Sequence, residues 1–326
     1  MKRVLKYGLT AVAALLLSFN LKAQDINEVI DLFNKANQEF QANQYDQAKA
    51  NVTKAYDMLN TLGDVEGEEA ATLKENCEKL LQAIPYMQGK ELLTAKKYDE
   101  AAIKLKEAKA TSEKYSNQEV VAELNELIPQ IGLAKATDFL AANDFQNAAA
   151  AYEDVIKDNT NSAEAYVRLA YAYDKLGDEA KAVANYEKGI EAATKANDAA
   201  NLDMAKSQLA TVYLMKAAEG QKAKKWAEVA ANAGKSLEIK ETPQAALLAG
   251  IGNHQLKKYD AAINALEKAA ELEKNDKTLQ NIAYYLATAY EAKGNKAKAC
   301  QNYKKVVGNP QFKAYAESKI KSLGCS

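Results

Sequence analysis

A chain of 326 residues, 48% hydrophobic and 27% charged, has the composition of a water-soluble globular protein, neither disordered nor membrane-filling. Four prolines and 14 glycines are too few for a turn-rich β architecture, and a formal charge of −1 offers phosphate backbones no general attraction. One histidine, His254, and three scattered cysteines exclude a His/Cys metal site built within this chain.

The first 23 residues read as an export signal. Lys2, Arg3 and Lys6 precede a 13-residue apolar run, Tyr7 to Phe19, and Leu21-Lys22-Ala23 sets a small residue before the expected cut. As a helix that run spans roughly 20 Å, short of the ~30 Å hydrocarbon core. Cleavage removes four positive charges and no negative ones, taking the charge from −1 to −5. No later apolar stretch approaches membrane-spanning length, so no transmembrane segment is expected after signal removal. The first cysteine is Cys77, so no lipid-modified cysteine can sit at the cut. An exported, periplasmic protein is the expectation.

From Asp25 onward the chain is rich in strong helix formers, with apolar residues three and four apart. One phrase recurs as Gln44-Tyr45-Asp46-Gln47-Ala48, Lys97-Tyr98-Asp99-Glu100-Ala101, Asp144-Phe145-Gln146-Asn147-Ala148, Lys225-Trp226-Ala227-Glu228-Val229 and Lys258-Tyr259-Asp260-Ala261-Ala262. Two variants open on a glycine, Gly177-Asp178-Glu179-Ala180 and Gly294-Asn295-Lys296-Ala297.

These residues resemble the tetratricopeptide repeat, a helix–turn–helix unit of about 34 residues. The family wants small residues at positions 8, 20 and 27, where its helices A and B approach closely. With the phrase aromatic at position 17, units start near residues 29, 82, 129, 163, 210, 243 and 280, and 18 of those 21 positions are Ala, Gly or Ser. The fullest match is residues 163–196, with Tyr166, Leu169, Ala170, Tyr173, Gly177, Ala182 and Tyr186 in consensus places. The resemblance implies an all-α, right-handed α-solenoid of about seven repeats, with a capping helix near residues 314–326. Uneven spacing divides the chain into a signal (1–23), irregular repeats with long helices (24–128), more regular repeats (129–313) and the cap. Helical insertions at 67–83, 119–128 and 198–209 predict lengthened A helices, and Pro85 and Pro129 predict a kink or a fresh helix start.

Enzyme motifs are absent: there is no Gly-x-Gly-x-x-Gly, Gly-Lys-Ser/Thr loop, His-Glu-x-x-His or Gly-x-Ser-x-Gly. No catalytic residue, metal ligand or cofactor site is proposed. Cys300 and Cys325 are a possible disulfide tying down the chain end, and Cys77 reads as a small buried apolar residue.

The resemblance implies binding of a protein or peptide in the groove formed by the A helices. Matching positions are Phe33, Phe40, Tyr86, Leu93, Leu133, Leu140, Val167, Tyr171, Leu247, Ile251, His254 and Tyr284. Repeats that clamp a terminal carboxylate use Lys and Asn where this chain has Val167, Tyr171, Tyr284 and Thr288, so that chemistry is missing. The expected function is a non-catalytic exported scaffold for protein–protein interaction. The alternative is a glycan or small-ligand solenoid using its tyrosines and Trp226. No nucleic-acid partner is expected, and the oligomeric state is left open.

Overall fold

The computed structural model describes residues 21–61 and 68–325, with side chains from Ile26 onward except that of Glu68. The charged start and apolar run of the expected signal lie outside the described residues. Those described contain fifteen helices and no strand. The chain divides into two compact units at Asp158/Asn159.

The first unit holds three helix pairs: α1 (Leu21–Gln41) with α2 (Tyr45–Thr61), α3 (Glu68–Thr94) with α4 (Tyr98–Lys114), and α5 (Gln118–Ala141) with α6 (Phe145–Asp158). The second holds four: α7 (Ala163–Leu176) with α8 (Glu179–Ala196), α9 (Ala199–Lys222) with α10 (Trp226–Ile239), α11 (Pro243–Gln255) with α12 (Tyr259–Leu272), and α13 (Asp276–Ala292) with α14 (Lys296–Val306). A single helix, α15 (Lys313–Leu323), closes it. Each unit is a helical repeat solenoid in which every pair packs on the next.

All 21 small positions of the repeat are buried, most of them completely. At position 8 the approach is closest: a Cβ on Gly89 or Gly250 would lie 2.5 Å from the Leu105 or Leu266 side chain sixteen residues later. The turn between paired helices is also uniform. Position 15 takes positive φ in every repeat, at Asn43, Lys96, Asn143, Gly177, Lys224, Lys257 and Gly294, with φ from 56° to 77°. One such residue reverses the chain within two positions, so helix B starts against helix A.

The insertions are absorbed into long A helices of 27, 24 and 24 residues, α3, α5 and α9. Pro85 and Pro129 do not open new helices; they lie inside α3 and α5. Each lacks the donor for the carbonyl four residues earlier. The helices nonetheless run on, because their flanks (Ile84 and Tyr86, Val121 and Ile131) are buried against neighbouring helices. The boundary expected at 128/129 therefore falls inside α5, thirty residues before the division between the units.

In the second unit α7 touches α9, α9 touches α11 and α11 touches α13, whereas successive B helices make no comparable contact. The A helices thus form the inner face of that unit. The far end of its core (Ile282, Leu286, Tyr290, Tyr303) is covered by Phe312, Ala316, Ile320 and Leu323 of the closing segment. Cys300 in α14 and Cys325 form a disulfide, with Cα atoms 5.6 Å apart, that fastens this cover. Cys77 is completely buried in α3, and burial together with nearby Glu78 pushes its thiol up to about 12, so it stays protonated and inert.

Candidate interaction surface

The side chains at A-helix positions 5, 9 and 12 fall into two groups. Phe33, Tyr86, Val167 and Ile251 are buried and line no groove. Phe33 belongs to the core shared by α1, α2 and α3, and Tyr86 to the one between α3, α4 and α5, where its hydroxyl donates to Glu123. Val167 fills the space left by Gly189, where a Cβ would come within 2.8 Å of its methyl. The cause is register. Val167 faces a glycine on its paired B helix, Phe33 and Tyr86 pack against residues that lengthen the next A helix, and Ile251, at position 9, is buried as well.

Leu133, Tyr171, Leu247, His254 and Tyr284 are half-buried, as are Phe40, Leu93 and Leu140. Tyr171 carries the Lys175 ammonium 5.1 Å from its ring centroid. Leu247 and Tyr284 rest on the core of α11 to α15. Tyr284 stacks on Phe312, with centroids 4.2 Å apart and planes at 11°, and meets Tyr315 edge-on. Arg168 is spent within its own helix, on Glu164 at 2.8 Å.

His254 links two repeats. Its Nε2 lies 2.8 Å from the Thr288 hydroxyl, and its ring meets Tyr259 and Tyr285 edge-on. Thr288 Oγ1 is 3.0 Å from the Tyr285 carbonyl, to which its single hydrogen donates, so it accepts from His254 Nε2–H. Nδ1 is then a bare acceptor, buried without a protein partner. Burial holds the imidazole pKa below its ordinary value, because protonation would add a second, unpaired donor.

Position 6, outside the sequence pattern, supplies what the buried residues do not. It is Met215 in α9, 60% exposed, and half-buried Leu248 and Tyr285 in α11 and α13. Tyr315 of α15, 44% exposed, adds to the end of the row. Only the helical spacing from neighbouring positions could have signalled them. The A helices of the second unit and α15 thus leave Tyr171, Met215, Leu247, Leu248, Tyr284, Tyr285 and Tyr315 partly exposed. They bring together no nucleophile–base pair. No helix among the described residues is long and apolar enough to cross a membrane.

Three stretches match family models described as tetratricopeptide repeat: residues 133–198, 248–276 and 283–311. The chain carries tetratricopeptide repeats. The matches cover the pairs around α6 to α8, α11–α12 and α13–α14. The α1–α2, α3–α4 and α9–α10 pairs fall outside them, although their position-15 turn is the same. Tetratricopeptide arrays are interaction units, and this one is a scaffold for protein–protein contact.

No curated protein matches the chain in sequence. Among solved structures, it is similar to the MamA protein at 20% identity, over 57% of this chain and 94% of that one, with a TM-score of 0.35. YrrB, described as a tetratricopeptide protein with an unusual peptide-binding site, is 18% identical over 61% and 97%, with a TM-score of 0.37. The C-terminal part of a tetratricopeptide-containing protein from Cytophaga hutchinsonii is 14% identical over 88% and 99%, with a TM-score of 0.38.

Proposed function

We propose that the chain is a non-catalytic, exported envelope scaffold whose tetratricopeptide repeats dock a protein partner on the inner face of the second unit. The observation that carries this reading is the apolar row of partly exposed side chains formed by Tyr171, Met215 and Leu248 on successive A helices and Tyr315 on α15. Such a row suits an amphipathic helix or an extended apolar segment. Export rests on the charged start and short apolar run of residues 1–23. With a formal charge of −1, falling to −5 on cleavage, a nucleic-acid partner is disfavoured.

The test is affinity capture from a periplasmic extract, comparing the parent with a Tyr171→Ala/Met215→Ala variant of equal helicity. A specific envelope protein held by the parent and lost by the variant supports the reading; equal capture moves the interface elsewhere. Cell fractionation with amino-terminal sequencing tests export, and a mature end near Gln24 is expected. A second reading, a glycan or small ligand on the Tyr284, Phe312 and Tyr315 cluster, is motivated by the 4.2 Å stack there. It requires saccharide-dependent changes in tyrosine fluorescence that Tyr315→Ala abolishes.

A further inference from the structure

The turns between paired helices in the second unit carry lysines at two positions where local structure disfavours them. Position 15 adopts the left-handed conformation, which costs a side-chain-bearing residue about 1–2 kcal/mol relative to its usual region. Glycine fills it at Gly177 and Gly294, but Lys224 and Lys257 fill it in the two repeats between. Position 16 is the amino-terminal cap of helix B. Asp178 and Asn295 there accept from the Lys181 and Lys298 amides. Lys225 and Lys258 make no side-chain cap bond and set a positive charge at the positive end of a helix dipole.

The first unit shows the same lysines compensated. Lys96 pairs with Asp138 at 2.7 Å and Lys97 with Glu100 at 3.6 Å. In the second unit Lys225 meets Glu228 at 3.1 Å, while Lys222, Lys224, Lys257 and Lys258 form no ion pair among the described residues. The last two of the three turns adjoin: Lys293, before the α13–α14 turn, reaches Asp260 in the first turn of α12 at 3.0 Å. Residues 221–229, 254–262 and 291–299 together hold eight lysines, all exposed, against three carboxylates, on a chain whose formal charge is −1. The opposite edge, residues 236–244 and 270–278, holds three lysines against five carboxylates.

We propose that this lysine-lined edge, formed by the turns after α9, α11 and α13, docks an acidic, extended segment of a partner protein. The edge is distinct from the apolar row and does not depend on it. Successive A helices in contact lie about 8–10 Å apart, which an extended strand spans in about three residues, so carboxylates at every third residue would meet successive turns. Carboxylates at Glu219, Glu228 and Asp260 flank the row. They repel a broad anionic surface more than a single strand threaded along the lysines. A second copy of the chain is a poor match, since its acidic edge carries a net charge of only about two and Glu241 there already pairs with Lys268.

The test is fluorescence anisotropy with the full chain and a labelled twelve-residue peptide bearing glutamate at every third position, at low and at physiological salt. The edge variant is Lys224→Gly/Lys225→Asn/Lys257→Gly/Lys258→Asn, whose residues suit the turn better than the lysines, so it melts no lower than the parent. Binding that weakens at least tenfold in this variant and falls with salt is expected. Lys274→Gln/Lys277→Gln on the opposite edge and Tyr171→Ala/Met215→Ala on the inner face should bind as the parent does. Equal affinity of the edge variant, or no peptide binding to the parent at low salt, overturns the proposal. So does binding of phosphatidylglycerol vesicles without binding of the peptide, which would assign the edge to a lipid surface. Because the inner-face variant is read in the same assay, loss of the apolar-row reading leaves this result interpretable.

Discussion

At the scale of single residues, the repeat is held by a few positions where one atom decides the outcome. Gly252 and Gly234, both helical, make opposite cases. A Cβ on Gly252 would lie 2.7 Å from the Ala230 backbone nitrogen and 3.0 Å from its Cα, so α10 and α11 would have to separate. Gly252→Ala should cost about 1–3 kcal/mol in urea denaturation. Gly234 has nothing within 4 Å of the same point, and Gly234→Ala should stabilise by about 0.5–1 kcal/mol through helix propensity alone. At the left-handed turn positions the direction reverses. Lys257→Gly should raise the thermal midpoint, by about 0.5–1 kcal/mol of stability, since φ of 61° is strained for lysine and free for glycine.

His254 gives a pH dependence at the same scale. Its folded-state pKa is depressed by burial, so the unfolded chain binds the proton more tightly and stability rises with pH. The His254 contribution is therefore complete above about pH 6.5, the ordinary imidazole value, and is lost as the pH falls below it toward the folded-state value. Melting curves between pH 7.5 and 5 should show this loss in the parent. It should be smaller in His254→Gln, and an unchanged slope in that variant would assign the effect to carboxylates instead.

At the scale of elements, two devices couple one helix pair to the next. In the first unit the position-17 tyrosine reaches a carboxylate on the following A helix. Tyr45 donates to Glu91 and Tyr98 to Asp138, each at 2.6 Å, and the Asp138 bond together with burial pushes the Tyr98 phenol up to about 12. Tyr45→Phe should cost about 1 kcal/mol and speed amide exchange in α1 and α2 more than in α5. The second device is the Cys300–Cys325 bridge, which closes a loop of 25 residues and fastens α15 over the last core. By loop entropy Cys325→Ser should remove up to about 3.5 kcal/mol, and reductant should destabilise the parent but not the variant.

How much of this was legible in the sequence differs by device. The recurring phrase, an aromatic three residues before Ala or Val in five repeats and a glycine turn in the other two, marked every repeat, and with it the close-contact positions, because close helix approach favours Gly, Ala or Ser there. The long A helices were legible from insertions rich in helix formers. Of the two outcomes that Pro85 and Pro129 allowed, a fresh helix start is not what the structure shows, since the penalty of a proline inside a helix is local and buried packing outweighs it. The partners of Tyr45 and Tyr98 were invisible, being 46 and 40 residues away and fixed only once pairs stack.

At the scale of the molecule, the chain is two compact units that divide at Asp158/Asn159, each with cores built only from neighbouring pairs. In such arrays stability is a sum of repeat and nearest-neighbour contributions, so damage stays near its source. Gly252→Ala and Cys325→Ser should both raise amide exchange within α9 to α15. Protection of α1 to α4 should be unchanged, and a loss there would show a coupling that the cores do not contain.

The sequence by itself determined the all-α architecture, the number of repeats, the residues at close helix contacts and the absence of familiar enzyme motifs. These follow from periodicity and side-chain size, which are local properties. Tertiary structure alone decided which apolar A-helix positions face outward: it buried Phe33, Tyr86, Val167 and Ile251 and left Met215 and Tyr315 exposed. It also paired Lys96 with Asp138 and left Lys224, Lys257 and Lys258 without an ion pair among the described residues. The reason is geometric. A rotation of one residue about a helix axis turns a side chain by about 100°, and that rotation is set by the size of residues on the neighbouring helix, not by the helix's own sequence.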